Sequence, residues 1–502
     1  SPTSEETIQE HVQVLRKSFN AGKLKSLSAR KTQLKQLRLI LTEGQEILQA
    51  AIWKDLHKHS TETFVAEVGL CLAEIQDHLD YMDDWAAPQK VSTNLLNIPG
   101  SSYVRSDPLG VCCIMDTWNY PIQLLVLPLI GCLSAGNCAL LRLPAEGTSD
   151  NVAAALAYLF DKYMDSDVVR YVAGGINANI AMLKQKFDLI FCTGGCTIGK
   201  IVARAAAETL TPVILELGGK SPAIIDSSID VIVSARRLIW GGFSNCGQTC
   251  VRPDYIFVHE SIGPALVKAL KQAILDFFGE NPQQCDSYGR LVNSAQFERM
   301  QRLYDADKDF AIIGGQSDQT DRYFAPTLFN YELNYDAFVS SAVMEGELFG
   351  PLLPICYYKD IHQALDYVNS HPKPLSLYVF SSSSSIQELV LSNTTSGSAC
   401  VNDTLVHLTN PHLPFGGVGN SGMGAYHGHH SFKAFSHQKS VMYKPFILDI
   451  AQRYQPYTSF AEKLLRFALR PIPRSWIRVL YGTGFLSFIG IILAIIFASK
   501  HH

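Results

Sequence analysis

The stretch Phe187-Asp-Leu-Ile-Phe-Cys-Thr-Gly-Gly-Cys-Thr-Ile-Gly-Lys200 decides the fold. It opens as an apolar, strand-like run, turns on paired glycines and leads into a helical stretch that reaches Leu210. The pattern recurs on both sides: 110–117, 138–143, 168–174 and 211–217 read as strands, with helices at 121–135, 149–163 and 199–210 between them. Short apolar runs alternating with helices signal a parallel α/β sheet, here a Rossmann-like one. A second alternating series over roughly 220–400, with strands near 255–260, 353–358 and 376–381, predicts a second α/β domain. Upstream, 3–90 reads as helices: Leu34, Leu37, Leu41, Ile47, Leu48 and Ile52 recur near helical spacing among Lys, Arg, Gln and Glu. That pattern predicts packing, not chemistry.

Composition narrows the function. The 502 residues suggest about three domains. A net charge of −4 provides no basic field, which argues against a nucleic-acid partner. The twelve cysteines follow neither a disulfide framework nor zinc spacing, so a reducing compartment is expected, with no metal and at least one thiol available for chemistry. The polar, acidic start at Ser1 is unlike a secretory signal. Val479 to Ser499 runs 21 residues without a charge. At about 1.5 Å per residue it spans roughly 32 Å, enough for a bilayer core. Arg470, Arg474 and Arg478 precede it, which predicts a tail anchor with the bulk of the chain in the cytosol.

Gly194 to Lys200 resembles a phosphate-binding turn, in which backbone N–H groups at a helix N-terminus face an anion. Ile201 cannot supply the hydroxyl that a P-loop offers to Mg²⁺, so the turn points to a dinucleotide and away from an NTPase; a purely structural strand-to-helix turn is the other reading. Leu215-Glu-Leu-Gly-Gly-Lys220 ends a strand on Glu216, a general base or a strand-end cap. Phe243-Ser-Asn-Cys-Gly-Gln-Thr-Cys250 is a small-residue loop ending in a thiol, and such a thiolate attacks a carbonyl to give a thiohemiacetal. Cys112, Cys113, Cys132, Cys138, Cys192, Cys196, Cys285, Cys356 and Cys400 read as buried filler. Asn119, after Asp116-Thr-Trp118, is an oxyanion donor or an ordinary turn residue before Pro121.

Together these segments resemble the aldehyde dehydrogenase superfamily. They are joined in the family's order by Trp118-Asn-Tyr-Pro121, Glu347-Leu-Phe-Gly-Pro351 and Leu413-Pro-Phe-Gly-Gly-Val-Gly-Asn-Ser-Gly-Met-Gly424. The resemblance covers about 10–450. Thr211-Pro212, Val401-Asn-Asp403, Tyr426-His-Gly428 and Arg453-Tyr-Gln-Pro-Tyr457 mark its class 3 branch, with the membrane-anchored fatty aldehyde dehydrogenases nearest. The resemblance implies Cys250 as nucleophile, Asn119 with the Cys250 N–H as oxyanion hole, and Glu216 as base. It implies NAD as cofactor, with NADP accepted: Glu347 on the nicotinamide ribose, Phe349 and Trp118 at the nicotinamide end, Gly194 and Gly199 admitting the cofactor to the sheet, and Arg142 reaching the adenosine ribose. In Arg142-Leu-Pro-Ala-Glu146 an extra residue separates the basic group from Pro144, and Gly346 stands where a second acid is common.

The implied organisation is a dinucleotide-binding domain (1–80 and 100–210), a catalytic domain (211–400), oligomerisation or bridging segments (81–99 and 401–450) that make a homodimer, an amphipathic helix (456–470) and the tail anchor (479–499) at the endoplasmic reticulum or another cytosol-facing membrane. The helix at 456–470 lies at the membrane interface or docks on the enzyme itself. His427, His429 and His430 are expected on a surface loop. The expected substrate is a medium- to long-chain aliphatic aldehyde. A non-catalytic membrane scaffold and a CoA-acylating enzyme are the alternatives, and the latter usually lacks a base at Glu216.

Overall fold

A computed structural model of the protein describes residues 2–471. Strands Val111–Met115, Cys138–Arg142, Val169–Val172, Leu189–Thr193 and Val213–Glu216 alternate with helices Gln123–Ala135, Asp150–Tyr163, Ile176–Leu183 and Cys196–Ala207. The strands form one parallel sheet in the order 169–172, 138–142, 111–115, 189–193, 213–216, closed by Gly422–Met423 running antiparallel at the edge. Strands 111–115, 138–142 and 189–193 are buried throughout, which is why they read as unbroken apolar runs. Helix Gln123–Ala135 is buried on every side and stops at Gly136, whose φ of +96° suits a helix C-terminus.

This order puts the first strand between the second and the fourth. The winding reverses between 111–115 and 189–193, where sheets of this kind bind ligands beyond the carboxyl ends of their strands. Pairing of Met115 with Arg142 and Cys192, and of Thr193 with Glu216, brings those ends level.

The second sheet has seven strands in the order Ala311–Ile313, Thr327–Asn330, Leu352–Tyr358, Tyr255–His259, Pro222–Ile225, Ser376–Phe380, Ser398–Val401, parallel except for the first. The short strands at 222–225, 327–330 and 398–401 were not among those expected. The N-terminal helices Glu5–Asn20, Leu27–Thr42, Gln45–Leu56 and Gly69–Ala86 bury Leu34, Leu37, Leu41, Leu48 and Ile52 as expected, but Ile47 is exposed. A π-helical turn, Phe64–Val68, precedes the last of them.

These elements make one compact unit, reaching Ala87 and resuming from Ser106 to Gln438. The other unit takes Pro88–Arg105 and the chain from Lys439, bounds that differ from 81–99 and 401–450. The difference has two causes. Helix Gly69–Ala86 runs through 81–86, and residues 402–438 rejoin the first unit. There Gly422 pairs with Glu216, and helix Gly428–Ala434 packs against Gly131, where an added Cβ would lie 2.7 Å from that of Ser431. Strands Gln89–Val91, Ser101–Pro108 and Ser436–Tyr443 form a three-stranded sheet. In the second unit, helix Ser459–Ala468 leaves Phe460 and Phe467 exposed. Among the described residues no helix is long and apolar enough to cross a membrane, and the expected anchor at 479–499 lies outside them.

Candidate active site

Helix Val231–Phe243 delivers the chain into the cysteine loop. Asn245, Cys246 and Gly247 take φ of 52°, 54° and 72°, left-handed conformations that cost a non-glycine residue about 1 kcal/mol or more. The surroundings hold them. Asn245 N donates to Glu62 Oε1 (2.7 Å), and its side-chain amide donates to Asn119 O (2.8 Å) and Gln248 O (3.2 Å). Gln248, fully buried, donates to Asn245 O and Arg290 O and accepts from Val292 N. At Gly247 a Cβ would collide with Gly350 O.

This loop places Cys250 in the wall of a cavity of about 500 Å³ lined mainly by apolar and aromatic side chains, among them Leu124, Trp240, Phe243, Phe278, Leu408 and Phe415. Burial pushes the Cys250 thiol up, and the Glu347 and Glu216 carboxylates add to that, while the N–H groups of Cys250 and Val251 pull it down. The thiol therefore needs a base to become the thiolate that attacks. Cys246 lies elsewhere: it is buried with Sγ 3.7 Å from Tyr288 Oη, and burial pushes its thiol up to about 12. Arg252, two residues after Cys250, bonds Asp254, Gly350 O and Leu352 O.

Glu216 ends its strand between Thr193 and Gly422. Both carboxyl oxygens are buried without a partner, and desolvation raises its pKa well above the carboxylate range. It caps no strand end. A buried acid that nothing neutralises is poised to exchange a proton with whatever enters the site. Asn119 is tied to the cysteine loop through its carbonyl, which accepts from Asn245 and from Lys58 Nζ (2.9 Å), and through its amide, which donates to Gln248 O (3.1 Å). The amide's second N–H is left for a ligand.

On the cofactor side, the Trp118 and Phe349 rings meet edge-on at 5.3 Å. The Glu347 carboxyl packs over Gly218, where no Cβ would fit, and accepts the Gly219 N–H; its Oε1 is buried and unpaired. Burial and Asp254 push its pKa up to about 8. Gly218, Gly219, Lys220, Glu347 and Cys196 line a second cavity of about 260 Å³. A Cβ on Gly195 would meet nothing within 4 Å and one on Gly194 only Ile198 at 3.7 Å, so the turn is open where helix Cys196–Ala207 begins. An open turn at a helix N-terminus for the pyrophosphate and an unpaired buried carboxylate oxygen for a ribose hydroxyl fit a nicotinamide dinucleotide.

Two expectations change here. At Gly199 a Cβ would lie 2.7 Å from Leu217, so this glycine lets the helix approach the neighbouring strand, and Gly195 offers the open face instead. Arg142 is 2% exposed, with its guanidinium bonded to Asn179 Oδ1, Leu143 O and Gly174 O. Those acceptors turn it into the protein, away from an adenosine ribose.

Sequence reasoning also missed three residues. His427 is buried and lines the Cys250 cavity, where burial lowers its pKa to about 4, in place of the expected surface loop. Lys58 and Glu67, in the region read as packing, reach Asn119 and the start of the helix that follows it. Only the motif Tyr426-His-Gly428 signalled the first, and no local pattern signalled the other two.

The aldehyde dehydrogenase family model matches residues 2–441. Aldehyde dehydrogenase family 3 comG of Dictyostelium discoideum is 42% identical over 454 residues, covering 90% of this chain and 94% of that protein. The dimeric NADP-preferring aldehyde dehydrogenase of Rattus norvegicus is 41% identical over 452 residues, covering 90% and 98%. The solved substrate-bound state of AldH from Staphylococcus aureus superposes with a TM-score of 0.88 at 37% identity, covering 92% of this chain and 99% of that one. With family 3 relatives along nine-tenths of its length and this thiol, carboxyl and dinucleotide groove in one unit, the chain belongs to the aldehyde dehydrogenase family and is an NAD(P)-dependent aldehyde dehydrogenase.

Proposed function

We propose that this enzyme oxidises medium- to long-chain aliphatic aldehydes to carboxylic acids, with Cys250 as nucleophile, Glu216 as base and Asn119 as oxyanion donor. One observation carries the reading: Cys250 faces an apolar cavity of about 500 Å³ and is also within electrostatic reach of Glu216 and Glu347. Glu216 takes the thiol proton, and Cys250 Sγ adds to the aldehyde carbon. The Asn119 amide and the Cys250 N–H stabilise the oxyanion of the thiohemiacetal. A nicotinamide cofactor, when bound, would supply the acceptor for the hydride that leaves this adduct. Glu347 would accept from its ribose, Trp118 and Phe349 would flank the nicotinamide end, and the Gly194–Gly195 turn would receive the pyrophosphate. Glu216 then deprotonates the water that releases the acid from the thioester. Because Glu216 is present, water is favoured over CoA as the acyl acceptor.

Buried methylenes contribute about 0.8 kcal/mol each. The kcat/KM should therefore rise about fourfold per added CH₂ from butanal upward until the cavity is filled. A flat series would remove the long-chain assignment.

The apolar run 479–499 supports attachment to the endoplasmic reticulum or another cytosol-facing membrane, where such aldehydes dissolve. The dimeric rat relative supports a homodimer. Deleting 479–502 should free the enzyme from membranes while activity on butanal persists. Extraction of the full chain by carbonate without detergent would exclude a spanning tail. Sedimentation of the truncated enzyme as a monomer would exclude the dimer.

A further inference from the structure

We propose that the buried ion pair Lys58–Glu67 is a positioning element for the oxyanion hole: it fixes the main chain of Asn119–Ile122 so that the Asn119 amide faces the adduct on Cys250. This rests on the reading of Asn119 as the oxyanion donor. The two side chains are 0% exposed and 2.6 Å apart. Lys58 Nζ also donates to Asn119 O at 2.9 Å and stands 4.0 Å above the Tyr120 ring. Glu67 Oε1 accepts from Lys58, and its Oε2 accepts from Ile122 N (2.9 Å) and Gln123 N (3.4 Å) at the start of helix Gln123–Ala135. One charge therefore grips the carbonyl that opens the segment, and the other grips the amides that close it.

Three arguments assign this pair to positioning. First, a buried ion pair is weak evidence for stability, because well-packed apolar residues of similar volume often stabilise as much or more. Second, Asn119 O accepts both from Lys58 and from Asn245 of the cysteine loop, so the pair and that loop share one acceptor. Third, Glu67 lies in the π-turn Phe64–Val68, a local widening of a helix that is frequent at functional sites. Neither Lys58 nor Glu67 lines the Cys250 cavity, so the pair acts through Asn119.

The test compares K58M, N119A and K58M/N119A in the full-length enzyme with its cofactor. Removing an oxyanion donor costs about 10²–10³ in rate, so N119A should fall by that factor. K58M should lose about 10–10² in kcat/KM for an aldehyde, as expected when a donor loses its alignment but is not deleted. Alkylation of Cys250 by iodoacetamide forms no oxyanion, so its rate and the KM for NAD⁺ should stay within about twofold of wild type in K58M. The double mutant should be no slower than N119A, because the pair acts only through that residue.

If K58M leaves Lys58's partner charge unpaired and fails to fold, K58M/E67M, which buries no charge, is measured in the same way. Full aldehyde activity in K58M or K58M/E67M, equal loss of aldehyde and alkylation rates, or failure of both variants to fold overturns the positioning role. Wild-type activity in N119A instead removes the oxyanion assignment on which the proposal rests. An impaired N119A beside a fully active K58M removes the proposal alone.

Discussion

Replacing Glu216 with Gln should make the enzyme slower and, at alkaline pH, relatively more stable. The glutamate is buried with both oxygens unpaired, and desolvation raises its pKa well above 4.5. A raised folded-state pKa means that, above the unfolded value, the folded protein holds more proton than the unfolded one. Its neutral form is tolerated at low pH, and stability is lost as pH rises from the unfolded value toward the folded one. Each unit between the two pKa values is worth about 1.4 kcal/mol. Gln cannot ionise, so the melting temperature of wild type minus that of E216Q should fall as pH rises above the ordinary glutamate value of 4.5, whatever the offset between the two proteins. In parallel, kcat should drop by on the order of 10²–10⁴, the usual contribution of a positioned general base. Scanning calorimetry across pH and stopped-flow NADH formation read the two effects. A full NADH burst followed by slow turnover would place the base in deacylation, and a slowed burst would place it in thiol activation. A pH-independent difference in melting temperature would exclude a raised Glu216 pKa, and wild-type turnover in E216Q would exclude its role as the base.

Other outcomes follow from the same geometry. Cys246→Ala should keep dehydrogenase activity within a few-fold of wild type, since that thiol is buried outside the cavity; loss comparable to that of C250A in the same assay would show the wrong cysteine has been assigned. Arg142→Ala should lower stability by about 1–3 kcal/mol in urea unfolding, because the buried Leu143 O and the part-buried Gly174 O and Asn179 Oδ1 lose their partner, while the KM for NAD⁺ stays within about twofold. A large rise in KM without destabilisation would return Arg142 to the cofactor site. For Glu347, with its carboxyl pushed up to about 8, the KM for NAD⁺ should fall as pH rises through that value and the ionised form accepts the ribose hydroxyls. E347Q should flatten the profile, and an unchanged slope would exclude the carboxylate.

Most of the first sheet was legible because its strands are buried on both faces and spell continuous apolar runs such as Leu189–Thr193. The strands Pro222–Ile225 and Thr327–Asn330 escaped notice because one begins on a proline and the other directly follows one, and Ser398–Val401 because it is half-exposed and opens on a small polar residue. At the site, Cys250, Glu216 and Asn119 stand in short motifs whose residue types suit the chemistry, so reading along the chain singles them out as candidates. The direction of a side chain was not legible: Arg142 ends a strand as expected, yet turns to Gly174 O and Asn179, which come from other parts of the fold. Gly195 and Gly199 likewise look alike in sequence, and only the nearness of Leu217 separates their roles. Lys58 and Glu67 lie in a charged, amphipathic helical stretch where such residues usually face water. Asn119, the partner of Lys58, is 61 positions away, and Ile122, the partner of Glu67, is 55 away, contacts that only the tertiary structure reveals.

In the proposed reaction the carbonyl carbon of the aldehyde is carried on Cys250 as a thioester. Acid quenching of the enzyme during turnover of decanal with NAD⁺, followed by peptide mass spectrometry, would trap that species. The predicted result is a decanoyl thioester on the peptide containing Cys250, increased in E216Q if deacylation needs the base and absent in C250A. A decanoyl group on Cys246 or another cysteine, or NADH formed by C250A at the wild-type rate, would contradict it.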